Sequence, residues 1–478
     1  MPAVRTCPAC RMASPSRPGD PLCPACTQAA RETVPNPLWP FDSPLMRRVL
    51  AEVNAPAVVA VFRAATGLSQ SDVAAMAGWS RAALGLYEHG QRGAVFDIRV
   101  LLRFADAVAM PREALLPLVL GDTDAALSAD GAAGEIGVEV DRRSFGGLAA
   151  GAALAAMLPE AAVPSRVTPS HVKYLQASLD SLWASDGVVG SGALLRPALR
   201  QWRLARQMVK QSSYTETVGR QLQVAAGYLA DWAGWAAFDA ADLTLARQLC
   251  TEALDLATGA ENAVLAAWTL LNLSSFYCQQ AVRATSPDWH SRNAAGQALR
   301  LSERAAEEAR YEPAPWLHVR IALRHAQAAS LAGNHAAFRS AISRAQRELD
   351  RAPGMEVPQW LQGAEQDPDL VIATDAVGTA NLGDMTRAEL LYRELLARVL
   401  PPRDRAFYGA RMAGVQLAQK AHGEAIDTGQ TVLALVESGL TSTRTLNELR
   451  PVRAAAGKSG DEGFCARFDA AEQALAAA

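Results

Sequence analysis

The chain has 478 residues, half of them apolar, and its 46 basic and 49 acidic residues leave a net charge of −3. That composition supports two or three domains with buried cores. It excludes a disordered polyelectrolyte, a histone-like basic coat and an acidic buffer. The longest apolar run, residues 145–158, is fourteen residues of mostly Ala and Gly, short of the roughly 20 a membrane-spanning helix needs. The first residues lead into cysteines rather than an apolar segment, so no N-terminal secretory signal is read and a soluble, cytoplasmic chain is expected.

Charge is uneven along the chain. Residues 1–121 hold 12 Arg, no Lys and 9 acidic residues, a net of +3, and the remainder nets −6. Such mild basicity permits nucleic-acid binding without establishing it. Of the 46 basic residues 42 are Arg, which genomic composition bias explains as well as any selection for bidentate contacts.

Four of the seven cysteines stand together as Cys7-Pro8-Ala9-Cys10 and Cys23-Pro24-Ala25-Cys26, with twelve residues between the pairs. A C-x2-C turn aims two thiolates at one point, and a second such turn completes a tetrahedral shell. Zinc suits that shell because it has no d-electron preference and accepts four soft ligands. Iron is the competing metal, and disulfides are the alternative that a reducing compartment disfavours. The segment, residues 1–34, resembles a short zinc ribbon. Four thiolates leave no open position for water, so such a metal is structural. Cys250, Cys278 and Cys465 lie apart in helical sequence and read as small core residues.

Residues 35–43 carry Pro35, Pro37 and Pro40, with Pro44 following, and predict a semi-extended spacer that leaves the knuckle a separate module. Ser43 can cap a helix with Pro44 in its first turn, and a second helix covers about 57–65. Ser69 with Asp72 is a capping box, Gly78 stands where a helix must turn left-handed, and Ser80 caps the next helix. Two short helices split by a tight turn make a helix-turn-helix. Helices at 97–109 and 111–120 complete a domain over 44–121.

Gly67-Leu68-Ser69-Gln70, Ala74, Gly78, Ser80, Leu84, Glu88 and Gly90 agree at several fixed offsets. The stretch is similar to the Xre type, the phage-repressor-like DNA-binding family. The resemblance implies that the helix opening at Ser80, Arg81 and Ala82 enters the major groove of double-stranded DNA. Arg81 is then the reader of guanine O6 and N7, Ala82 meets a thymine methyl, and Gln70 meets a phosphate. Gly85, Leu86 and Arg92 fall in the same DNA-facing set, although Gly85 and Leu86 stand where many relatives carry polar residues. Gly85 also costs about 1 kcal/mol of helix stability against Ala. The resemblance assigns Arg63 and Glu88 to an ion pair that ties the helices together.

Residues 122–167 read as a linker with an apolar segment. Asp141-Arg142-Arg143-Ser144-Phe145 and the run after it resemble a twin-arginine export signal. Its place behind a folded domain favours an apolar helix packed on the next domain over a membrane or export role.

From 168 to 478 the sequence is Ala- and Leu-rich and helical. Helices pair at 219–237 with 241–258, 261–283 with 290–310, 313–332 with 335–349, 369–382 with 385–399, 403–421 with 424–436, and 441–456 with 461–476. The turns read Ala332-Gly333-Asn334, Leu382-Gly383-Asp384 and His422-Gly423-Glu424. Such pairs resemble tetratricopeptide repeats in degenerate form, because the spacing between successive turn glycines departs from the ideal of about 34 residues. Trp202, Trp232, Trp235, Trp268, Trp289 and Trp316 either line a pocket or, more often for aromatics at helical spacing, fill core. His318 and His325 read as satisfied core or surface histidines.

Gly457-Lys458-Ser459 mimics the end of a phosphate-binding loop, but Val452 stands where its first Gly belongs and no strand precedes it. No other catalytic constellation is present, so a non-enzyme is expected. The expected fold is all-α: a helix-turn-helix domain plus an α-solenoid of tetratricopeptide type, with a small N-terminal zinc knuckle. The layout is similar to repeat-containing Xre regulators of actinobacteria. It implies a transcription regulator, a homodimer or higher homo-oligomer, whose array takes a peptide, protein or small-molecule effector and which has no membrane partner. The alternative is an interaction scaffold with a vestigial helix-turn-helix.

Overall fold

A computed structural model describes residues 4–15, 19–32, 34–88, 98–120, 163–283, 289–351 and 368–477. The described residues are overwhelmingly helical, and they fall into two compact units. One is Met1–Ser178 with Arg203–Leu222; the other is Leu179–Trp202 with Gln223–Ala478. The expected apolar segment at 145–158, its preceding arginines and most of the linker lie outside the described residues.

The first unit opens with a two-stranded antiparallel hairpin, β1 (Val4–Thr6) and β2 (Ala13–Pro15), followed by α1 (Pro24–Arg31). Then come α2 (Pro44–Ala51), α3 (Ala55–Thr66), α4 (Gln70–Ala77) and α5 (Arg81–Glu88). The helix α6 (Ile98–Ala107), a 3-10 turn (Arg112–Leu115) and α7 (Pro117–Leu120) follow. The single helix expected over 111–120 is therefore two short pieces. The front of α8 (Pro169–Val189), up to Ser178, belongs to this unit as well.

Phe62 is the hub of this core. Its fully buried ring stacks on Phe41 at 5.5 Å, meets Phe104 edge-on at 5.6 Å, and lies 5.7 Å from Tyr174 of α8. The structure here differs from the expected semi-extended spacer. Asn36 organises a turn, accepting from the Leu38 amide at 2.9 Å and donating its side-chain nitrogen to Asp42 at 3.1 Å. That turn delivers Trp39 and Phe41, 5% and 0% exposed, into the core. Burial of two large aromatics outweighs the preference of a proline-rich run for an extended path.

Nor is the knuckle a separate module. Arg31 donates Nε to the Ala64 carbonyl at 3.1 Å, and Asn54 donates to the Pro8 carbonyl at 2.9 Å. Arg63 in turn donates to the Gly19 carbonyl at 2.6 Å. These bonds run in both directions between the knuckle and the α2–α3 segment, and both lie in one compact unit.

The second unit is a succession of helix pairs with alanine-rich contacts, such as Ala326, Ala329 and Ala341 around Phe338. Of α9 (Leu195–Gln211) the residues up to Trp202 belong to this unit, as do those of α10 (Glu216–Asp239) from Gln223 on, and α11 (Leu243–Gly259) follows. Next are α12 (Ala263–Arg283) with α13 (Trp289–Glu308), and α14 (Pro315–Leu331) with α15 (His335–Arg351). The last three pairs are α16 (Pro368–Asn381) with α17 (Met385–Leu396), α18 (Pro402–Ala418) with α19 (His422–Glu437), and α20 (Thr443–Ser459) with α21 (Glu462–Ala477). All six expected pairs are present.

A shared turn chemistry joins them. A residue in the left-handed region is followed by an Asx side chain that caps the next helix: Ala241-Asp242, Glu261-Asn262, Gly333-Asn334 and Gly383-Asp384. The turn expected at Gly423 is displaced. Gly423 lies inside α19, and Lys420, at φ 66, takes the left-handed position.

Candidate nucleic-acid interface and cysteine cluster

The helix-turn-helix is assembled by local chemistry. Ser69 Oγ accepts from the Asp72 amide at 3.2 Å while the Asp72 carboxylate accepts from the Ser69 amide at 3.2 Å, closing the capping box that starts α4. Gly78 ends α4 at φ 69, a conformation costly for a residue bearing a Cβ. Trp79 then turns inward, its ring 5.3 Å from Tyr87 and 6.2 Å from Phe104. Ser80 Oγ accepts from the Ala83 amide at 3.1 Å and caps α5.

Inside the three-helix core, Arg63 Nε approaches Glu88 Oε1 at 3.1 Å, with side chains 3% and 4% exposed. The approach is close but off the line of a hydrogen bond. Glu88 completes its shell through Oε2, which accepts from Gln70 Nε2 at 2.8 Å. The ion pair expected between these helices is thus in place, and it fixes the angle of α5 against α3.

The outer face of α5 begins with Ser80, Arg81 and Ala82, all exposed. Arg81 makes no hydrogen bond or ion pair with any described residue, so its guanidinium is available. Leu86, 41% exposed, stands one turn further along. Gly85 is half-buried, and a Cβ there would lie 3.8 Å from Gln70 Nε2. Gln70 itself has its amide nitrogen committed to Glu88, a role the sequence did not signal. Arg92 lies outside the described residues.

Residues 57–118 match a family model described as a helix-turn-helix domain. This part of the chain is a helix-turn-helix domain. No curated protein matches the chain. Among solved structures the chain is similar to one titled "Circular tandem repeat protein with novel repeat topology and enhanced subunit contact surfaces". That likeness has 13% identity over 90% of this chain and 94% of the other, with a TM-score of 0.21, and adds nothing to the fold described above. No helix among the described residues is long and apolar enough to cross a membrane.

Beside the helix-turn-helix domain, the sulfurs of Cys7, Cys10, Cys23 and Cys26 all lie within 4.8 Å of one another. Cys7 and Cys10 flank the tip of the β-hairpin, where the Arg11 amide donates to the Cys7 carbonyl at 2.8 Å. The second pair differs from the first: Cys23 is the N-cap of α1 and Cys26 sits in its first turn. The Cys10 and Cys23 sulfurs are 3.8 Å apart, which equals the edge of a sulfur tetrahedron built on metal–sulfur bonds of about 2.3 Å. The donor set can therefore hold a metal ion. Burial raises the Cys7 thiol, but the amides of Cys23, Cys10 and Ala9 outweigh it and bring the pKa down to about 7. Burial and the neighbouring thiols push Cys26 strongly upward. Four sulfurs this close cannot all ionise without a cation among them.

In the second unit, Trp232, Trp235 and Trp268 do line a cavity, and Trp183 joins them. Trp202 does not, Trp316 packs behind Trp268 at 6.3 Å between ring centroids, and the Trp289 side chain is outside the described residues. His318 Nε2 meets the Glu312 carbonyl at 2.9 Å, and the His325 ring meets Ser302 Oγ at 3.3 Å. Both are satisfied histidines. Gly457-Lys458-Ser459 is part of α20 and forms no loop.

Proposed function

We propose that this protein is a sequence-specific, double-stranded-DNA-binding transcription regulator of the Xre type, with α5 as the recognition helix. The observation that carries this reading is the exposed, uncommitted Arg81 at the first turn of a helix whose opposite side is locked by Arg63, Glu88 and Trp79. A rigid helix presenting an arginine at its N-terminal end suits bidentate reading of guanine, and Ala82 beside it suits a thymine methyl. Ser80 and the α4 N-terminus around Gln70 would face phosphates. Phage-repressor-like readers act as dimers on half-sites about one helical turn apart, and a homodimer or higher oligomer is proposed for this chain.

Zinc is the metal proposed for the four cysteines, on the strength of the all-thiolate donor set and tetrahedral spacing. Its role is structural: it holds the hairpin to α1, and through Arg31 and Arg63 that assembly supports α3. The helical array, of tetratricopeptide type, is assigned to oligomerisation and to sensing an effector. The reading is of a cytoplasmic binding protein, not an enzyme.

Leu86 favours a second reading, since an exposed leucine on the outer face of α5 suits a protein partner better than a phosphate. A salt titration on randomised duplexes separates the two. A DNA reader gives an affinity that falls linearly on a log–log plot as salt rises, and Arg81→Ala relaxes its selected sequence at one position by about 1–3 kcal/mol. Salt-independent binding, or an unchanged selected sequence for the variant, refutes the DNA reading.

A further inference from the structure

The cavity in the second unit, about 220 Å³, has a wall of lopsided chemistry. Five arginines reach it: Arg320, Arg324, Arg403, Arg411 and Arg444. Most lie over aromatic rings. Arg444 lies over Phe407 at 4.3 Å from the ring centroid and over Trp235 at 5.1 Å. Arg411 lies over Phe407 at 5.3 Å, and Arg320 over Trp268 at 5.5 Å. Guanidinium groups already placed over rings lose little further rotamer freedom on binding.

Three of the five have carboxylates behind them. Arg403 pairs with Asp186, Arg411 with Glu448 at 3.3 Å, and Arg444 with Asp239 at 3.3 Å. Arg324 pairs with no carboxylate among the described residues. Its Nη1 donates to Gln327, and its buried Nε has no hydrogen-bond partner. Burial first, then the positive charge of Arg320, pulls its pKa down to about 10, so it stays charged at neutral pH. The acidic groups on the wall do little to offset it. Asp369 is taken by Arg398 at 2.6 Å, and Asp404 acts on Arg403. Asp231 is raised to about 7 by burial while accepting from Asn272 at 2.8 Å. A half-buried cation that no described carboxylate neutralises is costly, and an incoming anion would relieve that cost.

We propose that this cavity binds a small organic oxyanion, a carboxylate or phosphate ester on a flat apolar body. Arg324 meets the charge and the tryptophan wall packs the body. Its size suits a single small molecule. The proposal names the chemistry of the effector in the reading above and rests on that reading only for its regulatory meaning; the binding itself needs no DNA.

The test uses the full chain without DNA, with tryptophan fluorescence and thermal shift as readouts. Benzoate, phenyl phosphate and inorganic phosphate are the anionic probes, and benzamide and benzamidine are the neutral and cationic controls. The expected result is saturable quenching and a raised Tm with benzoate or phenyl phosphate, and no response to the two controls. The stronger of the two aromatic anions tells carboxylate from phosphate ester. Arg324→Met should weaken binding at least tenfold and, by removing a half-buried charge with no carboxylate beside it, raise the Tm of the ligand-free protein. Arg324→Lys should retain part of the response. No response to any anion, an equal response to benzamide, or undiminished binding by Arg324→Met overturns the proposal. Duplex binding is scored in parallel, so anion binding without DNA binding removes the regulator reading alone, and the converse removes this one alone.

Discussion

Lys173 Nζ lies 2.8 Å from Asp72 Oδ1, joining α8 to the capping box of α4 across 101 positions of chain. Ser170 Oγ adds a longer bond of 3.3 Å to the same carboxylate oxygen. Asp72 thus serves two masters: one oxygen closes the box with Ser69, and the other receives α8.

Replacing Asp72 by Ala should cost about 1–2 kcal/mol, the sum of a lost helix cap and a partly exposed ion pair. Lys173→Ala should cost under 1 kcal/mol, because the lysine side chain is 57% exposed. Burial raises the Asp72 pKa, yet the bonds from Lys173 and Ser69 outweigh it and leave the net value below 3.8. A lowered carboxyl pKa contributes stability above the unfolded value and loses it as pH falls through the folded one. Thermal melts between pH 2.5 and 6 should therefore converge for wild type and Asp72→Asn at the acid end.

Arg63 and Glu88 are both buried, so removing either alone strands a charge. Arg63→Met or Glu88→Leu alone should destabilise the helix-turn-helix by about 3–5 kcal/mol, and the two substitutions together by much less. Urea unfolding of the four proteins forms a double-mutant cycle. A sum of singles equal to the double would contradict the coupling.

Metal removal should reach beyond the knuckle. A strong chelator, or Cys26→Ser, is expected to lower the unfolding temperature of the helix-turn-helix as well, because Arg31, Asn54 and Arg63 join the two. Metal content per chain, measured beside the melt, checks the claim. A knuckle that loses metal while the melt is unchanged would show that those three bonds contribute little.

His171 gives a second pH dependence. It is 1% exposed, accepts at Nδ1 from the Thr168 amide at 3.1 Å, and faces the Ala107 carbonyl through Nε2 at 3.2 Å. Those partners assign the neutral tautomer with its proton on Nε2. Burial lowers its pKa below 6.5, although the Ala107 bond acts the other way. The folded state then binds fewer protons than the unfolded chain, so stability is full above pH 6.5 and falls as pH drops toward the folded pKa. His171→Gln should flatten that part of the profile, read as Tm between pH 5 and 7.5.

The helix-turn-helix was legible in the sequence because its signals are local. Ser69 and Asp72 are three residues apart, and Gly78 and Ser80 bracket one turn. The cysteine cluster was legible for the same reason. The docking of the knuckle was not, since Arg31 and Arg63 reach carbonyl groups 33 and 44 positions away and carbonyls have no sequence identity. Trp39 and Phe41 were hidden by the prolines around them. Array turns were mislocated where Ala241, Glu261 and Lys420 hold left-handed conformations usually signalled by glycine, each at a cost of about 1 kcal/mol. At Ala241 and Glu261 the Asx residue that follows was the better marker, whereas Ala421 follows Lys420 and makes no side-chain cap. The arginine-lined cavity gathers side chains from Arg320 to Arg444 and has no period at all.

The unit that holds the helix-turn-helix is written in two separate stretches of the gene, since residues 203–222 belong to it along with the first 178. A fragment ending at residue 120 would strip Tyr174 from Phe62 and His171 from Ala107, leaving an apolar scar on the very core that orients α5. Biochemists seeking a minimal DNA-binding piece should expect stickiness and poor solubility from any single-cut truncation there, and genetic fusions should keep the chain intact at least through residue 222.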